Sequence, residues 1–592
     1  MHWKRTAVFA AVVILAVTAC ADDPPAGAPN TTPTTPPATT PTTTPVQSPS
    51  AGDVVADQTA KGPARPVDGA TKGGIITAYA EAAPATLDPS GVDDTDGRQI
   101  QKLYLRALTQ YDLRDGKPVL VPDLAQNLGT RSPDGLTWTF RLKSGIKYQD
   151  GTPVKADHIV YAVKRSFVRP RFASGPSYHL DFLAGADEYD GPYGPDGENY
   201  SGVEATDDYT VVFHLARPFD ALPFFASYPM FAPIPKERDR RSIYQLTPMS
   251  TGPYQVASHE PGKQLRLTTN PNWNPDTDPV RHQYADGFVF HWGGDPEAQQ
   301  RNVLDSAGAD ANALQYGAIE PAVVPRIDDT NRSQLVVGDS PCLRVVTMDT
   351  QRIPLPVRKA IAVAMPWDAL RAAEGLAMLT SPPASTLLPP AVLGYAAYRL
   401  PGLTGTGPGN PARARQLLVA AGQDGFELSW YYAEDDPLSR RVSQIRELGL
   451  AKAGFAVRAR PVPAAKLRGR NASPNAKVNM LRSPAAWCAD WPTGSSWFPE
   501  LFTSAAIDRG TSMGRLRSPA LDAEIARIAG LGPAEQLPEW ARLDRTILSS
   551  YVPVLPYHYM KAAFVVGRNI GHAVGDPTAG MPDLTSMYLQ QP

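Results

Sequence analysis

Residues that could carry out chemistry are sparse in this sequence, and none shows a spacing typical of a catalytic or metal site. There is no HExxH pair, Walker A loop, CxxC pair or nucleophile elbow, and the nine histidines form no ligand pair. Gly405, Gly407 and Gly409 form a G-x-G-x-G string, but Pro408 interrupts it and no predicted strand precedes it, which indicates a loop. We therefore expect a protein that is not an enzyme and has no cofactor or metal. A hydrolase whose residues meet only in space remains an alternative.

The first of the three cysteines, Cys20, lies at the end of an N-terminal targeting segment. Lys4 and Arg5 precede an apolar run over residues 6–16, which is too short to span a bilayer but typical of a secretion signal. The sequence Val-Thr-Ala-Cys that ends at Cys20 resembles the bacterial lipobox. This resemblance implies a signal peptide over 1–19 and a lipid on Cys20 that anchors the protein to the outer face of the cell membrane. An ordinary cleaved signal with an incidental cysteine is the alternative.

The other two cysteines, Cys342 and Cys488, would then lie outside the cytoplasm, where thiols oxidise readily. They could form a disulfide, or they could remain two buried free cysteines that act as small apolar side chains.

Composition separates a tether from a globular body. Residues 20–71 are rich in threonine and proline and contain few large apolar side chains, so we expect a disordered tether there. The remaining length is enough for two or three domains. A formal net charge of -2, without a basic cluster, argues against a nucleic-acid partner.

Hydrophobic periodicity predicts a mixed α/β body. Leu136, Trp138, Phe140 and Leu142 alternate with polar residues, which predicts a half-buried strand, and a second strand is predicted over 209–215. Two further strands are expected over 426–430 and 455–459, with a helix between them. A helix that connects two strands in this way forms a βαβ unit and implies a partly parallel sheet. A helix is also predicted from Asn410, which can act as its cap.

Read in order, the motifs of the body resemble the family 5 extracellular solute-binding proteins, which bind dipeptides, oligopeptides or nickel complexes. The most specific motif is the string DGLTWTFRLKSGIKYQDGTPVKADHIVYAVKR over 134–165. The other motifs are TLDP at 86–89, PDLAQNL at 122–128, TGPY at 251–254, NPNW at 270–273, VRKAIAVA at 357–364, PARARQLLVAAG at 411–422, WCADW at 487–491 and VPVLPYHY at 552–559.

The resemblance implies two lobes that close on a ligand about a hinge. Lobe I would cover 72–341, with an extra subdomain at about 104–225, and residues 560–592 would return to it. Lobe II would cover 342–559. The protein would act as a monomer that hands a small solute, most simply an oligopeptide, to the permease subunits of an ABC transporter. A metallophore–nickel complex, a sugar or an antibiotic as ligand, or a role as a ligand sensor, are alternatives.

The resemblance also assigns roles to individual residues. In oligopeptide-binding relatives, the aspartate of the WCAD motif pairs with the α-ammonium group of the peptide, and Asp490 occupies that position. Trp487 would form an apolar wall or a cation–π face beside it. Relatives pair the cysteine of this motif with one at the lobe crossover, which here means Cys488 with Cys342. The basic residue that neutralises the peptide carboxylate in relatives is replaced by Pro484, and Arg482 is the nearest candidate to substitute for it.

Overall fold

The structure is a computed structural model that describes residues 55–168, 172, 176–194, 197, 199–473, 475–482 and 485–590. The predicted signal peptide, Cys20 and Pro484 lie outside these residues.

The described residues form helices and strands that alternate along the chain. The strands are β1 Ile75–Ala80, β2 Thr109–Arg114, β3 Lys117–Pro122, β4 Thr130–Arg131, β5 Thr137–Arg141, β6 Val203–Asp207, β7 Thr210–His214, β8 Tyr254–Glu260, β9 Gln264–Thr269, β10 Gly287–Trp292, β11 Ala313–Tyr316, β12 Leu335–Thr347, β13 Glu427–Ala433, β14 Ala456–Val462, β15 Ala486–Cys488, β16 Val554–Val566, β17 Ile570–Gly571, β18 Gly575–Asp576, β19 Met581–Pro582 and β20 Tyr588–Leu589. The helices are α1 Thr95–Gln101, α2 Ala156–Ser166, α3 Tyr178–Phe182, α4 Leu222–Phe225, α5 Pro296–Asp305, α6 Leu355–Ala364, α7 Trp367–Ala373, α8 Pro411–Ala420, α9 Pro437–Lys452, α10 Ala464–Ala472, α11 Phe498–Phe502, α12 Ser504–Arg509, α13 Pro519–Ala529 and α14 Pro533–Thr546.

The largest sheet has eight strands in the order β15-β12-β16-β11-β1-β10-β9-β8. β1 runs parallel to β10 and β11, and the remaining neighbours are antiparallel. A four-stranded sheet with the order β4-β5-β7-β6 contains both strands that periodicity predicted near 136 and 209. β13 and β14 are parallel and joined by α9, so the predicted βαβ unit is confirmed. The side chain of Asn410 caps α8 as expected, because it accepts a hydrogen bond from the backbone N–H of Arg413 at 2.9 Å.

Buried side chains gather in three main cores. The central-sheet core joins β1, β10 and β11 to residues 564–589 near the C-terminus. The small-sheet core surrounds α2 and the four-stranded sheet, and the helical core contains residues between 343 and 559. The lobe boundaries predicted at 341 and 559 fall inside β12 and β16, two strands that extend from the central-sheet core to the helical core and whose pairing is irregular between Asp339 and Leu343. Those boundaries remain a prediction.

The segment over 55–71 differs from the expected tether. Val55 and Asp57 both hydrogen-bond to the backbone of Leu120, at 3.1 and 2.8 Å, and the Asp57 carboxylate lies 2.9 Å from Arg114. This segment lacks the apolar residues for a core of its own, which is why its composition predicted disorder. Its partners are supplied by the β2–β3 hairpin, which is distant in sequence: Asp57 and Arg114 are 57 residues apart. The predicted disorder therefore does not extend through residues 55–71.

A buried ion pair explains why two distant family motifs occur together. Arg165, at the end of α2, donates to both carboxylate oxygens of Asp88 in the TLDP motif, and the two contacts are 2.5 and 2.7 Å long. Arg165 also contacts Asp239 at 3.2 Å. Separating the partners of a buried ion pair is strongly unfavourable, so this contact fixes the TLDP loop against the small-sheet core.

Candidate functional site

Asp490 follows β15, the edge strand of the eight-stranded sheet. β15 pairs on one side with β12, where Cys342 lies opposite Cys488 and the two form a disulfide. The predicted cysteine pair is therefore bonded in the structure. The disulfide fixes the segment that carries Asp490, two residues further on, to the strand that connects two of the cores.

The Asp490 carboxylate is enclosed by groups from distant parts of the sequence. The hydroxyl of Tyr178, at the start of α3, donates a hydrogen bond to Oδ2. Within the described ranges, no basic side chain forms a salt bridge with this carboxylate. Burial, followed by the negative charge of Asp93, raises the pKa of Asp490 to about 7. A carboxylate in such surroundings favours a cation strongly, because it has no direct ionic partner among these residues and only the hydrogen bond from Tyr178 and the nearby charge of Arg98 oppose the rise in its pKa.

Arg98 lies close to Asp490 but does not neutralise its side chain directly. Its Nη1 donates to the backbone carbonyl oxygen of Asp490 at 3.1 Å, and its guanidinium carbon lies 4.5 Å from the ring centroid of Tyr228. The Tyr228 hydroxyl donates to the same carbonyl oxygen at 3.1 Å. Burial opposes the charge of Arg98, but Tyr228 and Asp490 raise its pKa, so it stays cationic. These two side chains position the backbone of Asp490.

Trp491 is a fully buried aromatic residue of the segment. Its sequence neighbours belong with the helical core, yet its indole lies in the small-sheet core. Its ring centroid is 4.9 Å from that of Tyr178, 6.1 Å from Phe219 and 6.3 Å from Phe225. The residue beside the carboxylate therefore ties two cores together.

The other two predicted ligand residues lie in different surroundings. Trp487 is partly buried, stands opposite Leu343 in the β12–β15 ladder and packs against the helical core. Its Nε1 is buried and has no hydrogen-bond partner among the described residues. Arg482 is buried in an ion pair with Asp349, with Nη1 at 2.8 Å from Oδ2. The structure thus places Trp487 on the segment of Asp490, whereas Arg482 binds a carboxylate of the protein itself.

Three cavities surround the segment 488–491. Cys488 lines a cavity of about 640 Å³, Asp490 one of about 50 Å³ and Trp491 one of about 400 Å³. The 400 Å³ cavity has an apolar wall that includes Phe219 and Trp491, and it also contains Glu500. The two larger volumes lie in the range of small-molecule sites.

Sequence reasoning missed Tyr178, Arg98 and Trp491 as parts of this site. Trp491 stands inside the WCADW motif, so the motif itself offered a signal. Arg98 and Tyr178 precede Asp490 by 392 and 312 residues. No local pattern connects residues so far apart.

Two other classes of site were searched for in the part of the chain that the structure describes. No group of three or more histidine, cysteine, aspartate or glutamate side chains there is arranged to hold a metal ion. No helix within these residues combines the length and apolar character needed to cross a membrane.

Similarity to known proteins agrees with this architecture. A model of the family described as bacterial extracellular solute-binding proteins, family 5 middle, matches residues 119–509. The glutathione-binding protein GsiB of Escherichia coli is 27% identical over 448 residues, which cover 71% of this chain and 78% of that protein.

Solved structures confirm the predicted α/β fold class. The clavulanic acid biosynthesis oligopeptide binding protein 2 has a TM-score of 0.78 and 26% identity, and the match covers 90% of this chain and 99% of that one. The periplasmic binding protein DppA of Helicobacter pylori, solved with the peptide STSA, has a TM-score of 0.65 at 18% identity, over 88% of this chain and 99% of that one, and shares the fold. The family match spans more than half of the sequence, and the chain belongs to the family 5 bacterial extracellular solute-binding proteins.

Proposed function

We propose that this protein captures a peptide with a free amino terminus outside the cell and delivers it to the permease of an ABC importer. The observation that carries the proposal is the Asp490 carboxylate, which is enclosed and has no salt bridge to a described residue. The α-ammonium group of a peptide would supply the missing cation. A charged hydrogen bond of this kind is about twice as strong as a neutral one.

The strand next to Asp490 supports an extended ligand. β15 is paired only with β12, so its other edge is free within the described sheet. An unpaired strand edge can bind an extended peptide through main-chain hydrogen bonds, and adjacent pockets then take its side chains. The relatives point the same way, because GsiB is named for binding glutathione, itself a peptide, and the DppA structure contains a tetrapeptide.

A double-mutant cycle tests the role of Asp490. Pools of short peptides, glutathione and Ser-Thr-Ser-Ala would first be screened by thermal shift, since a ligand that binds the native state raises its apparent stability. For the best ligand, Asp490→Asn should weaken binding about thirtyfold or more, because loss of one partner of a buried charge pair costs about 2–5 kcal/mol. N-acetylation of the peptide should cost a similar amount.

The two losses should not add, because both remove the same interaction. Asp187→Asn is the matched control, since its carboxylate is exposed and forms no salt bridge among the described residues. Calorimetry that finds full additivity, or unchanged binding by Asp490→Asn, would contradict the proposal.

The remaining parts of the proposal concern attachment to the membrane, the oligomeric state and the role of Trp487. Lipid on Cys20 would hold the protein at the membrane, and the segment over 20–54 would serve as the tether. The protein would act as a monomer, with Trp487 as an apolar wall of the ligand site. Metabolic labelling with a fatty-acid analogue should mark the wild type and leave Cys20→Ala unmarked. An unmarked wild type would contradict the anchor.

A further inference from the structure

The cavity of about 640 Å³ beside the disulfide has an acidic lining. Three acidic side chains, Asp96, Glu320 and Glu374, contribute to it, and Lys561 is its only basic side chain among the described residues. Lys561 is already paired with Asp339. The cavity therefore offers acidic groups and no unpaired base.

Two of the three acidic side chains have no ionic partner among the described residues, whereas Glu374 is compensated by Arg344 and, through electrostatic interaction, by Arg446. Among the described residues, neither Asp96 nor Glu320 forms a salt bridge. The Glu374 side chain is 8% exposed, and its Oε2 has no hydrogen-bond partner; the nearest cation, Nη1 of Arg344, lies 3.9 Å away. Burial, with a further contribution from Asp94, raises the pKa of Asp96 to about 6.

His558 gives an independent sign of a missing hydrogen-bond donor. The residue is 4% exposed and lines the same cavity. Its Nδ1 faces the carbonyl oxygen of Tyr559 at 3.3 Å, so Nδ1 carries the proton and Nε2 is an acceptor. That Nε2 has no partner. Burial lowers the pKa of His558 to about 4, so the ring stays neutral near pH 7 and keeps this acceptor.

The acidic groups come from both sides of the cleft. Glu320 belongs to the loop after β11, in the region of the central-sheet core, whereas Glu374 ends α7 in the region of the helical core. The two loops approach closely, since a Cβ added to Gly375 would lie 3.5 Å from Cγ of Pro321. Because Glu374 is already paired with Arg344, the groups left for a bound cation are Asp96 and Glu320 together with the unpartnered Nε2 of His558.

We propose that this cavity accepts a cationic side chain of the bound peptide, so that the preferred ligands carry a guanidinium or ammonium group in addition to the α-ammonium. This inference rests on the proposed function. Acceptors line the cavity, its one base is paired, and the volume suffices for an arginine or lysine side chain with its surrounding water. The apolar stem of such a side chain would contact Leu376 and Met560, which line the same cavity.

The experiment uses tetra-alanine peptides in which each position in turn carries lysine or norleucine, which has a similar apolar stem and no charge. Calorimetry on the wild type should find one position at which lysine binds about tenfold more tightly than norleucine. Glu320→Gln should reduce this ratio, and Asp96→Asn with Glu320→Gln should bring it close to one. Glu260→Gln, at an exposed glutamate without a described salt bridge, should preserve the ratio.

A ratio below about two at every position of the wild type would overturn the inference, and so would a ratio that survives the double variant. If the peptides bind and depend on Asp490 but show no lysine preference, only this inference fails. If no peptide of the series binds and Asp490→Asn changes nothing, the proposed function fails as well. Circular dichroism and melting temperatures would verify that each variant is folded.

Discussion

Two groups of buried charges in this protein differ in whether their carboxylates have cationic partners. Near the central-sheet core, Asp123 accepts hydrogen bonds from Arg106 at 2.7 Å and from Arg281 at 2.9 Å, and Arg281 also contacts Asp278 at 3.2 Å. Burial alone would raise the pKa of Asp278, but the two arginines hold it well below its usual range. At the cleft, the pKa of Asp490 moves upward instead.

In one region charged side chains pair with each other and hold the fold together, whereas in the other a carboxylate is left without an ionic partner among the described residues. The charges of the Arg106–Asp123–Arg281–Asp278 network neutralise one another and join segments that are far apart in sequence. The segment at Asp490 is held by a disulfide, by Trp491 and by hydrogen bonds to its backbone, so the carboxylate can pair with a ligand. A perturbed carboxylate in a cleft is typical of functional sites.

The largest expected effect comes from the covalent bond that holds the binding segment. Cys342→Ala with Cys488→Ala should lower the free energy of unfolding by up to about 4–5 kcal/mol, because the bond closes a long loop. The separation of the two cysteines is 146 residues. Urea denaturation of the oxidised protein and the double variant measures the loss, and it should be accompanied by weaker peptide binding. Equal stability, or free thiols in the wild type, would show that the segment is held by other contacts.

Removing one carboxylate from the charge network should lower the free energy of unfolding almost as much. Asp123→Asn leaves the two buried arginines with Asp278 as the carboxylate of the network, and breaking a buried pair costs about 3–5 kcal/mol. Thermal and urea unfolding would measure this loss. Peptide affinity of the fraction that folds should stay within about twofold of the wild type, because Asp123 itself, unlike its partner Arg106, does not line the cavity at Asp490. If Asp123→Asn strongly weakened peptide binding and left stability unchanged, the network would serve binding rather than stability, which would contradict this comparison.

Asp490→Asn should have the smallest effect on stability, and its sign depends on pH. The folded pKa of about 7 lies above the unfolded value, so the folded wild type binds more protons and loses stability as pH rises from about 4 to 7. The asparagine variant lacks this loss. It should therefore match the wild type near pH 4 and exceed it by about 1–3 kcal/mol at pH 8. Melting curves of both proteins across this range would test the prediction. It would be contradicted if the stability of the variant, measured relative to the wild type, fell between pH 4 and pH 8.

Local patterns in the sequence predicted several elements of the body, but not the helices and strands that surround Asp490. The alternation around Trp138 and the capping residue Asn410 are local signals, and the structure contains both elements. The family resemblance assigned a ligand role to Asp490 and paired Cys488 with Cys342, and the structure contains that disulfide. What local patterns could not supply is the partner of each residue. Tyr178 and Arg98 meet Asp490 only through the fold, and the segment over 55–71 is ordered by β3, which its own composition could not reveal.

The position of Trp491 has a consequence for the time a ligand stays bound. Separation of the helical core from the small-sheet core would withdraw this indole from Tyr178, Phe219 and Phe225. A buried tryptophan covers about 150–250 Å², which corresponds to about 4–6 kcal/mol at the usual area coefficient. A burial energy of that size would favour the closed arrangement over the open one by about a thousandfold. The time a ligand stays bound would then depend on an aromatic side chain that need not touch the ligand.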